Sequence, residues 1–411
     1  MLNVHHKRTC CRACEGERLT PFLELGPQPL ANAFLRSPDE FAKEAFYPLD
    51  IYFCQSCSLV QLLDRIDPQV LFRNYLYVTG TSDTIARHNV DYARTVTDLL
   101  RLGRGDLVVE AASNDGSLLK QFRALGVGTL GVEPAQNLAA LAYQNGVETV
   151  AEFFNLDTAR GVRETYGKAM AVIANNVLAH VDDPVDFLRA GRCLLADGGM
   201  VIFEVPYLAE LLDRLEYDTI YHEHLCYFSV TPLLRMTEAA GLHIARIDRV
   251  PVHGGSLRVY AGAVARHSAD ALDLAEVEKR AGLNSLARYE KFAADVETSR
   301  KLLRNFLCNL RAQQRSIAGY GAPAKGNTLL NYCGIDTTML PYTVDKNELK
   351  VDLYTPGMHI PVRPVSTLLE QRPDDVLILA WNFSSEIMRQ QEAYRALGGR
   401  FITPVPEPVA H

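Results

Sequence analysis

The sequence has no long hydrophobic run and no cluster of basic residues. No apolar stretch approaches the ~20 residues that a membrane-spanning helix requires, so we expect no membrane partner. The net charge is −7 and binding to a nucleic-acid backbone depends on clustered Lys and Arg, so we expect no nucleic-acid partner. The N-terminus lacks the apolar core of a signal peptide, and we therefore expect a cytoplasmic protein.

The composition that remains is typical of a globular protein with several domains. Hydrophobic residues make up 48% and charged residues 22% of the 411 positions. A chain of this length exceeds one ordinary hydrophobic core, and ~100–200 residues per domain give two or three domains. We predict three.

Four of the nine cysteines form two CxxC pairs. The pairs are Cys11 with Cys14 and Cys54 with Cys57, and two such turns can meet and close a tetrahedral sulfur site, for which zinc is the best-suited metal. Four thiolates leave no open position on the metal, so we predict a structural zinc site. Cys10 could compete with Cys11, but only Cys11 has the two-residue gap to Cys14.

The densest group of titratable side chains is the run Tyr221, His222, Glu223 and His224. Histidine titrates near neutrality, so two histidines beside a carboxylate can take a proton from carbon and have their tautomers fixed by neighbours. The run therefore indicates acid/base chemistry. Two alternatives are a solvated loop and a second metal site.

The middle of the chain alternates strands and helices. Residues 106–122 have the pattern of a strand, a small-residue turn and a helix, but the turn lacks the three glycines that hold a dinucleotide pyrophosphate. A second strand at 128–134 ends at Glu133, where a carboxylate can accept both ribose hydroxyls of an adenosine ligand. We predict that this ligand contacts seven residues at the ends of these two strands and of the next strand in the chain: Glu110, Ala112, Asn114, Gly116, Glu133, Pro134 and Asn176.

A buried strand in 169–184, a helix that we expect to stop at Gly198, and a strand at 200–206 continue the alternation. The pattern predicts an α/β fold with a doubly wound, mainly parallel sheet that binds its ligand at the carboxyl ends of the strands. Residues 243–264 would close this sheet as an antiparallel pair. The turn between them, His253–Arg258, is either a simple glycine turn or a means of bringing Arg258 to the substrate.

The C-terminal third starts a second α/β layer. A charged helical linker at 270–314 precedes a strand, a glycine turn and a helix at 315–335. Lys325 lies inside that turn, and turn amides together with a lysine can hold a phosphate group.

These motifs, in this order, resemble those of the S-adenosylmethionine-dependent class I methyltransferases. With the two CxxC pairs, YHEH, HGGSLR and YGAPAKGNTLLNY, nearly the whole chain resembles the nucleotide-sugar C-methyltransferases of deoxysugar pathways. The resemblance implies a zinc-binding domain at 1–72, a class I methyltransferase domain at 73–268, and linker helices with a Rossmann-like domain at 269–411. The last domain would help to bind a nucleotide sugar and not a nicotinamide cofactor.

The resemblance also implies a reaction. In this family the tyrosine, glutamate and last histidine of YHEH lie at the reacting carbon with the histidine of NNVLAH; here these are Tyr221, Glu223, His224 and His180. S-adenosylmethionine would methylate carbon 3, beside the ketone, of a dTDP-linked 4-keto-deoxysugar after a histidine base forms the enolate. The expected substrate-binding residues are His222, Arg258, Lys325 and Asn327.

The sequence departs from the family pattern at Ala111, where relatives often carry a larger apolar residue. From the same resemblance we expect a role in antibiotic or polysaccharide biosynthesis. We also expect a monomer or a small homo-oligomer. Three other functions stay open: an O- or N-methyltransferase, a nicotinamide oxidoreductase, and a zinc-dependent binding protein.

Overall fold

The computed structural model describes residues 4–73, 75, 78–81, 83–252 and 254–411. Residues 1–3, 74, 76, 77 and 82, and His253 in the predicted turn, lie outside the described residues. The chain forms two compact units. The first contains the residues up to Thr20, Tyr52–Ala209 and Leu225–Ser285, and the second contains Pro21–Ile51, Glu210–His224 and Leu286–His411. Within the described ranges, no helix has the length and apolar character needed to cross a membrane.

Short strands dominate the N-terminal segment. They are β1 (His5–Lys7), β2 (Leu19–Pro29), β3 (Phe46–Cys54), β4 (Val60–Leu62) and β5 (Asp64–Ile66), followed by the helix α1 (Pro68–Phe72). Strands β1 and β5 pair in antiparallel fashion. Strands β2 and β3 are long, and each carries residues of both units.

The central part of the chain supplies eight strands. They are β6 (Leu107–Ala111), β7 (Gly128–Val132), β8 (Thr149–Val150), β9 (Ala169–Asn175), β10 (Leu195–Pro206), β11 (Cys226–Tyr227), β12 (His243–Val250) and β13 (Ser256–Gly262). Seven of them form one sheet in the order β12-β13-β10-β9-β6-β7-β8, in which the five strands β6 to β10 run parallel to one another. Strand β11 instead joins the sheet β11-β4-β3-β2. The predicted doubly wound sheet is confirmed.

Helices connect these strands. They are α2 (Asp83–Leu100), α3 (Ser117–Ala124), α4 (Gln136–Gln144), α5 (Leu156–Tyr166), α6 (Pro184–Leu194), α7 (Leu208–Asp213), α8 (Val230–Ala239), α9 (Ala269–Arg280) and α10 (Leu286–Ala312). Helix α6 begins where Pro184 occupies its first turn and the Asp183 carboxylate accepts the Asp186 N–H at 2.9 Å. The expected stop at Gly198 was wrong, because β10 already begins at Leu195.

Both faces of the parallel strands are buried, as is usual where helices cover a sheet on each side. On one face, Val108, Ile173 and Ile202 pack with Tyr92 of α2 and Phe122 of α3. The other face packs against α5, α6 and α8. The carboxyl ends of the strands are the part of the sheet that helices leave open to a ligand.

The antiparallel pair predicted for 243–264 is present as β12 and β13. However, β13 starts at Ser256, so Arg258 lies within a strand and not in the turn. In the register of β13 with β10, Arg258 stands opposite Glu204. An ion pair across the strands therefore determines where this arginine points.

The second unit contains another mainly parallel sheet. Its elements are β14 (Ile317–Tyr320), α11 (Ala324–Cys333), β15 (Thr343–Asp345), β16 (Val362–Pro364), α12 (Thr367–Gln371), β17 (Asp375–Ile378), α13 (Ser384–Gln390), α14 (Glu392–Ala396), β18 (Arg400–Thr403) and β19 (Val409–Ala410). The strand order β16-β15-β14-β17-β18-β19 reverses direction between β14 and β17, and only β19 is antiparallel to its neighbour. The predicted Rossmann-like layer is confirmed.

Candidate active site and metal centre

Two equivalent backbone turns build the cysteine cluster. The N–H of Glu15 donates to the carbonyl of Cys11 at 3.0 Å, and the N–H of Ser58 donates to that of Cys54 at 2.8 Å. Glu15 and Ser58 both have positive φ, 57° and 65°. Each CxxC pair therefore closes on itself and presents two sulfurs on one side.

The four sulfurs fit a zinc ion. The Sγ atoms of Cys11, Cys14, Cys54 and Cys57 all lie within 4.8 Å of one another. The distance is 3.5 Å between those of Cys11 and Cys57, and 3.7 Å between those of Cys14 and Cys54. Zn–S bonds of about 2.3 Å in a tetrahedron require sulfur separations of ~3.8 Å. These four thiolates would hold the metal, which supplies structural cross-linking and no open coordination position.

The structure places Cys11, and not its neighbour Cys10, in the cysteine cluster. Cys10 lies outside the cluster, with its sulfur 3.7 Å from Nη2 of Arg8. In the described part of the chain, no other group of His, Cys, Asp and Glu side chains comes close enough to hold a metal ion. The YHEH run therefore does not form the second metal site that its composition allowed.

Polar atoms gather at the carboxyl edge of β6 and β9 in the first unit. Glu110, Ser113, Asn175 and Asn176 each have a buried side-chain oxygen that lacks a hydrogen-bond partner among the described residues. Burial raises the pKa of Glu110 well above its ordinary value, and the charges of Asp115 and Glu133 act in the same direction. A ligand with amine and hydroxyl donors would satisfy these acceptors.

The backbone at this edge is strained in the way that binding sites often are. Ala112, Asn114 and Asn176 have φ values of 54°, 53° and 54°. Gly116 precedes α3 with φ of 75°, and a Cβ there would lie 2.8 Å from the Val147 side chain. Only glycine fits at Gly116, which explains its place in the turn.

Glu133 follows β7 directly, as predicted, and Pro134 comes next. Its carboxylate accepts the N–H groups of Asn114 and Ala135, each at 2.8 Å. Burial raises the pKa of Glu133, and these two hydrogen bonds oppose that effect. Because every carboxylate oxygen has a second lone pair, Glu133 can fix the turn and still accept ligand hydroxyls.

In the second unit, Tyr221 and His224 form a hydrogen-bonded pair. The Tyr221 hydroxyl lies 2.8 Å from Nε2 of His224, and Nδ1 of His224 lies 2.8 Å from the carbonyl oxygen of Thr219. A carbonyl can only accept, so Nδ1 carries the proton, and the lone pair on Nε2 of the neutral ring accepts the Tyr221 O–H. This arrangement fixes the tautomer that a base requires.

The two residues between them are buried. His222 is 1% exposed and its Nε2 contacts the carbonyl of Pro48 at 3.1 Å. Glu223 is 2% exposed and accepts a hydrogen bond of 2.6 Å from Nδ2 of Asn32. Burial lowers the pKa of nearby Lys350, while the charges of Asp345 and Glu223 raise it. Sequence reasoning missed Asn32, because it belongs to no motif.

His180 lies in the first unit. It ends the 3-10 turn Leu178–His180, and its ring meets that of Phe72 edge-on at 5.5 Å. Two residues later, the carboxylate of Asp182 contacts three arginines. Burial works to raise the pKa of Asp182, but the hydrogen bond from Arg65 and the charges of Arg12 and Arg8 keep it below its ordinary value.

Arg258 is part of a buried ion cluster in the first unit. Its Nε donates to Glu204 at 2.6 Å, and His88 contacts the same carboxylate at 3.0 Å. The guanidinium lies 4.0 Å from the ring centroid of Tyr92. Sequence analysis missed His88 and Glu204, because strand register brings Glu204 to Arg258 and the packing of α2 on the sheet brings His88 there.

Lys325 and Asn327 lie on α11 in the second unit. Nζ of Lys325 is 3.8 Å from the ring centroid of Trp381, whose indole N–H donates to Asp218 at 2.6 Å. Burial lowers the pKa of Lys325, while the charges of Asp218 and Glu216 raise it. Asn327 is fully buried and donates from Nδ2 to the carbonyl of Ala31 at 2.7 Å. The lysine therefore already has two carboxyl groups, those of Asp218 and Glu216, as electrostatic partners.

Three family models match consecutive parts of the chain. They describe a zinc binding domain at residues 11–72, a methyltransferase domain at 86–247 and a C-methyltransferase C-terminal domain at 251–406. C-methyltransferase NovU of Streptomyces niveus is 37% identical over 402 residues, which cover 97% of this chain and 96% of that relative. The chain belongs to the C-methyltransferases. It is a zinc-binding, S-adenosylmethionine-dependent C-methyltransferase, so carbon is chosen over the oxygen and nitrogen acceptors that the sequence left open.

Solved structures of other methyltransferases are more distantly similar. An S-adenosylmethionine-dependent methyltransferase from Clostridium acetobutylicum is 13% identical, with 44% of this chain and 92% of that chain covered at a TM-score of 0.35. Magnesium protoporphyrin IX methyltransferase from Synechocystis PCC 6803 is 15% identical, with 45% and 86% covered at a TM-score of 0.32. At such TM-scores, neither likeness bears on the substrate.

Replacing Glu133 with alanine is expected to weaken binding of the methyl donor. A lost hydrogen bond to a charged group is worth about 1.5–3 kcal/mol. Calorimetry with S-adenosylhomocysteine, the donor without its methyl group, would measure the loss, and the exposed Glu152→Ala variant of the same unit is the matched control. Affinity for a nucleotide sugar should not change. The reverse pattern would mean that the adenosine binds elsewhere.

Proposed function

We propose that this C-methyltransferase transfers the methyl group to carbon 3 of a nucleotide-linked 4-keto-deoxysugar. The observation that supports the proposal most is the tautomer of His224, whose Nε2 has the lone pair that a carbon-bound proton requires. A carbon beside a ketone can lose a proton and become an enolate. The enolate carbon then attacks the sulfonium methyl group in line, and S-adenosylhomocysteine leaves.

In this proposal each polar residue has one role. His224 removes the proton from carbon 3, and its Nδ1–H bond to Thr219 stabilises the imidazolium that forms. On substrate binding the Tyr221 O–H turns from Nε2 of His224 to the oxygen of the developing enolate, to which His180 also donates. Glu223, held by Asn32, orients a histidine or binds a sugar hydroxyl. Neither the base step nor the methyl step uses the zinc ion.

The remaining proposed contacts concern the nucleotide, for which we propose a dTDP group. The β14–β17 reversal is the place where open α/β sheets bind ligands, and Lys325 and Trp381 both lie there. Lys325 and Asn327 stay our candidates for the sugar nucleotide. For Arg258 and His222, burial and internal hydrogen bonds favour an indirect effect on substrate binding.

The test is incubation of the enzyme with isotopically labelled S-adenosylmethionine and a panel of dTDP-linked 4-keto-deoxysugars. Mass spectrometry of the product gives the methyl count, and NMR gives the carbon that bears it. Labelled methyl on carbon 3 is the expected result. Methylation of a sugar oxygen, or no transfer to any keto sugar together with transfer to another carbon acid, would overturn the substrate assignment.

Lys325→Met is expected to raise the apparent KM for the sugar substrate and leave the donor KM unchanged. Methionine keeps an apolar chain against Trp381 but removes the charge that would contact a phosphate. Steady-state kinetics with each substrate varied in turn would measure both constants, with the exposed Lys346→Met as the control. If neither constant moves, Lys325 serves only as the counter-ion of Asp218 and Glu216.

A further inference from the structure

Arg12 belongs to the first unit and lies in the sequence between the metal ligands Cys11 and Cys14. Its side chain is completely buried. The backbone N–H of Arg12 donates to Oε1 of Gln61 at 3.0 Å, and its Nη1 donates to the carbonyl of Leu62. The cysteine turn is thereby attached to strand β4. A guanidinium this deeply buried requires several partners, because an unpaired buried charge is very unfavourable.

The third partner of Arg12 is Asp182. Nε of Arg12 lies 3.2 Å from the carboxylate, which also contacts Arg8 at 3.4 Å and Arg65 at 2.7 Å. Arg8 additionally donates to the backbone carbonyl of Asp182 at 3.4 Å. Three guanidinium groups thus face one carboxylate. Because Arg12 belongs to the Cys11–Cys14 turn, this ion cluster is attached to the first cysteine turn.

Asp182 lies just after His180, and a second connection lies just before it. The carbonyl of Ala179 accepts the N–H of Leu225 at 2.7 Å, and the carbonyl of Leu225 accepts the N–H of Leu62 at 3.0 Å. Both connections therefore lead from His180 to the part of β4 that Arg12 holds. Removing Arg12 or Asp182 would therefore release one side of the short turn that carries His180.

We propose that Arg12 and Asp182 are positioning residues that fix the backbone on both sides of His180 to the zinc-bound turn. The proposal rests on the role assigned to His180 under Proposed function. Side chains that orient a functional group through a neighbour typically change activity 10–100-fold when they are replaced. A displacement of about 1 Å at a catalytic group has an effect of similar size.

The first experiment compares Asp182→Asn with the wild-type enzyme. We expect kcat to fall ~10–100-fold, while the affinity for S-adenosylhomocysteine, measured by calorimetry, and the zinc content per chain stay the same. Arg12→Met should have the same effect on kcat. Arg18→Met is the matched control, because the exposed Arg18 contacts Ser56 of the second cysteine turn, whereas Asp182 pairs with Arg8, Arg12 and Arg65. An unchanged kcat in Asp182→Asn would overturn the proposal.

The second experiment separates positioning from general stability by a double-mutant cycle with His180→Gln. If Asp182 acts through His180, Asp182→Asn should lower kcat less than ~3-fold once His180 is replaced. Additive effects would show that Asp182 does not act through His180. If His180→Gln alone leaves kcat unchanged, the role of His180 in the proposed function is wrong, which is a distinguishable result.

The third experiment needs no turnover. Zinc is removed with a chelator, and amide hydrogen exchange is followed by mass spectrometry. Relative to the zinc-loaded enzyme, exchange in peptides containing Leu178–Asp182 and Leu225 should accelerate at least ~10-fold more than exchange in peptides of β6, which report the general loss of stability. Equal protection of Leu178–Asp182 with and without zinc would contradict the connection.

Discussion

Replacing His224 with asparagine should lower kcat by ~10²–10⁴ while both substrates still bind, because loss of a general base has an effect of this size. Asparagine keeps a side-chain N–H that can donate to the Thr219 carbonyl but has no basic nitrogen facing Tyr221. The local fold should therefore survive, whereas removal of the proton from carbon should be strongly slowed.

Exchange of the proton on carbon 3 into deuterated water is the sharper measurement, since it reports the base step without methyl transfer. Wild-type enzyme should catalyse the exchange when S-adenosylhomocysteine replaces the donor, and His224→Asn should not. His222→Asn is the comparison from the same run, and its effect should be smaller because His222 is buried against Pro48. If His224→Asn exchanges at the wild-type rate, the base is Tyr221 or His180, to be tested in the same way.

Replacing Cys57 with serine should remove the metal and destabilise the first unit. Structural zinc contributes on the order of 10 kcal/mol to small zinc-dependent segments, and the three remaining thiolates cannot complete the tetrahedron. Elemental analysis and thermal unfolding measure the two effects. Cys308→Ser is the control, because Cys308 is exposed and lies outside the cluster. A folded, zinc-free Cys57→Ser protein with the wild-type melting temperature would refute a stabilising metal.

The sequence predicted those features that depend on local periodicity and short spacing. The alternation of apolar runs predicted both parallel sheets, and two CxxC pairs predicted the meeting of Cys11, Cys14, Cys54 and Cys57. Both succeed for the same physical reason. A buried strand needs a continuous apolar run, and a metal turn needs two ligands at a fixed gap, so each leaves a signature within a few residues.

Contacts between distant residues leave no such signature. The partners of Asp182 are separated from it by more than a hundred residues, and the strand register alone pairs Arg258 with Glu204. The end of α6 was missed because a glycine stop was expected, whereas the turn into β10 needs none. For His222, the composition of the run suggested a site, but only the fold shows that the ring is buried.

The two units are each assembled from separate stretches of the chain, and this has a consequence for engineering substrate range. Within the second unit, Ala31 binds Asn327, Glu44 binds His359 and Asp218 binds Trp381. A chimera that takes only residues 286–411 from another C-methyltransferase would separate all three pairs. Exchange of substrate preference by recombination should therefore succeed only when the segments 21–51 and 210–224 travel with the C-terminal third as one inherited block.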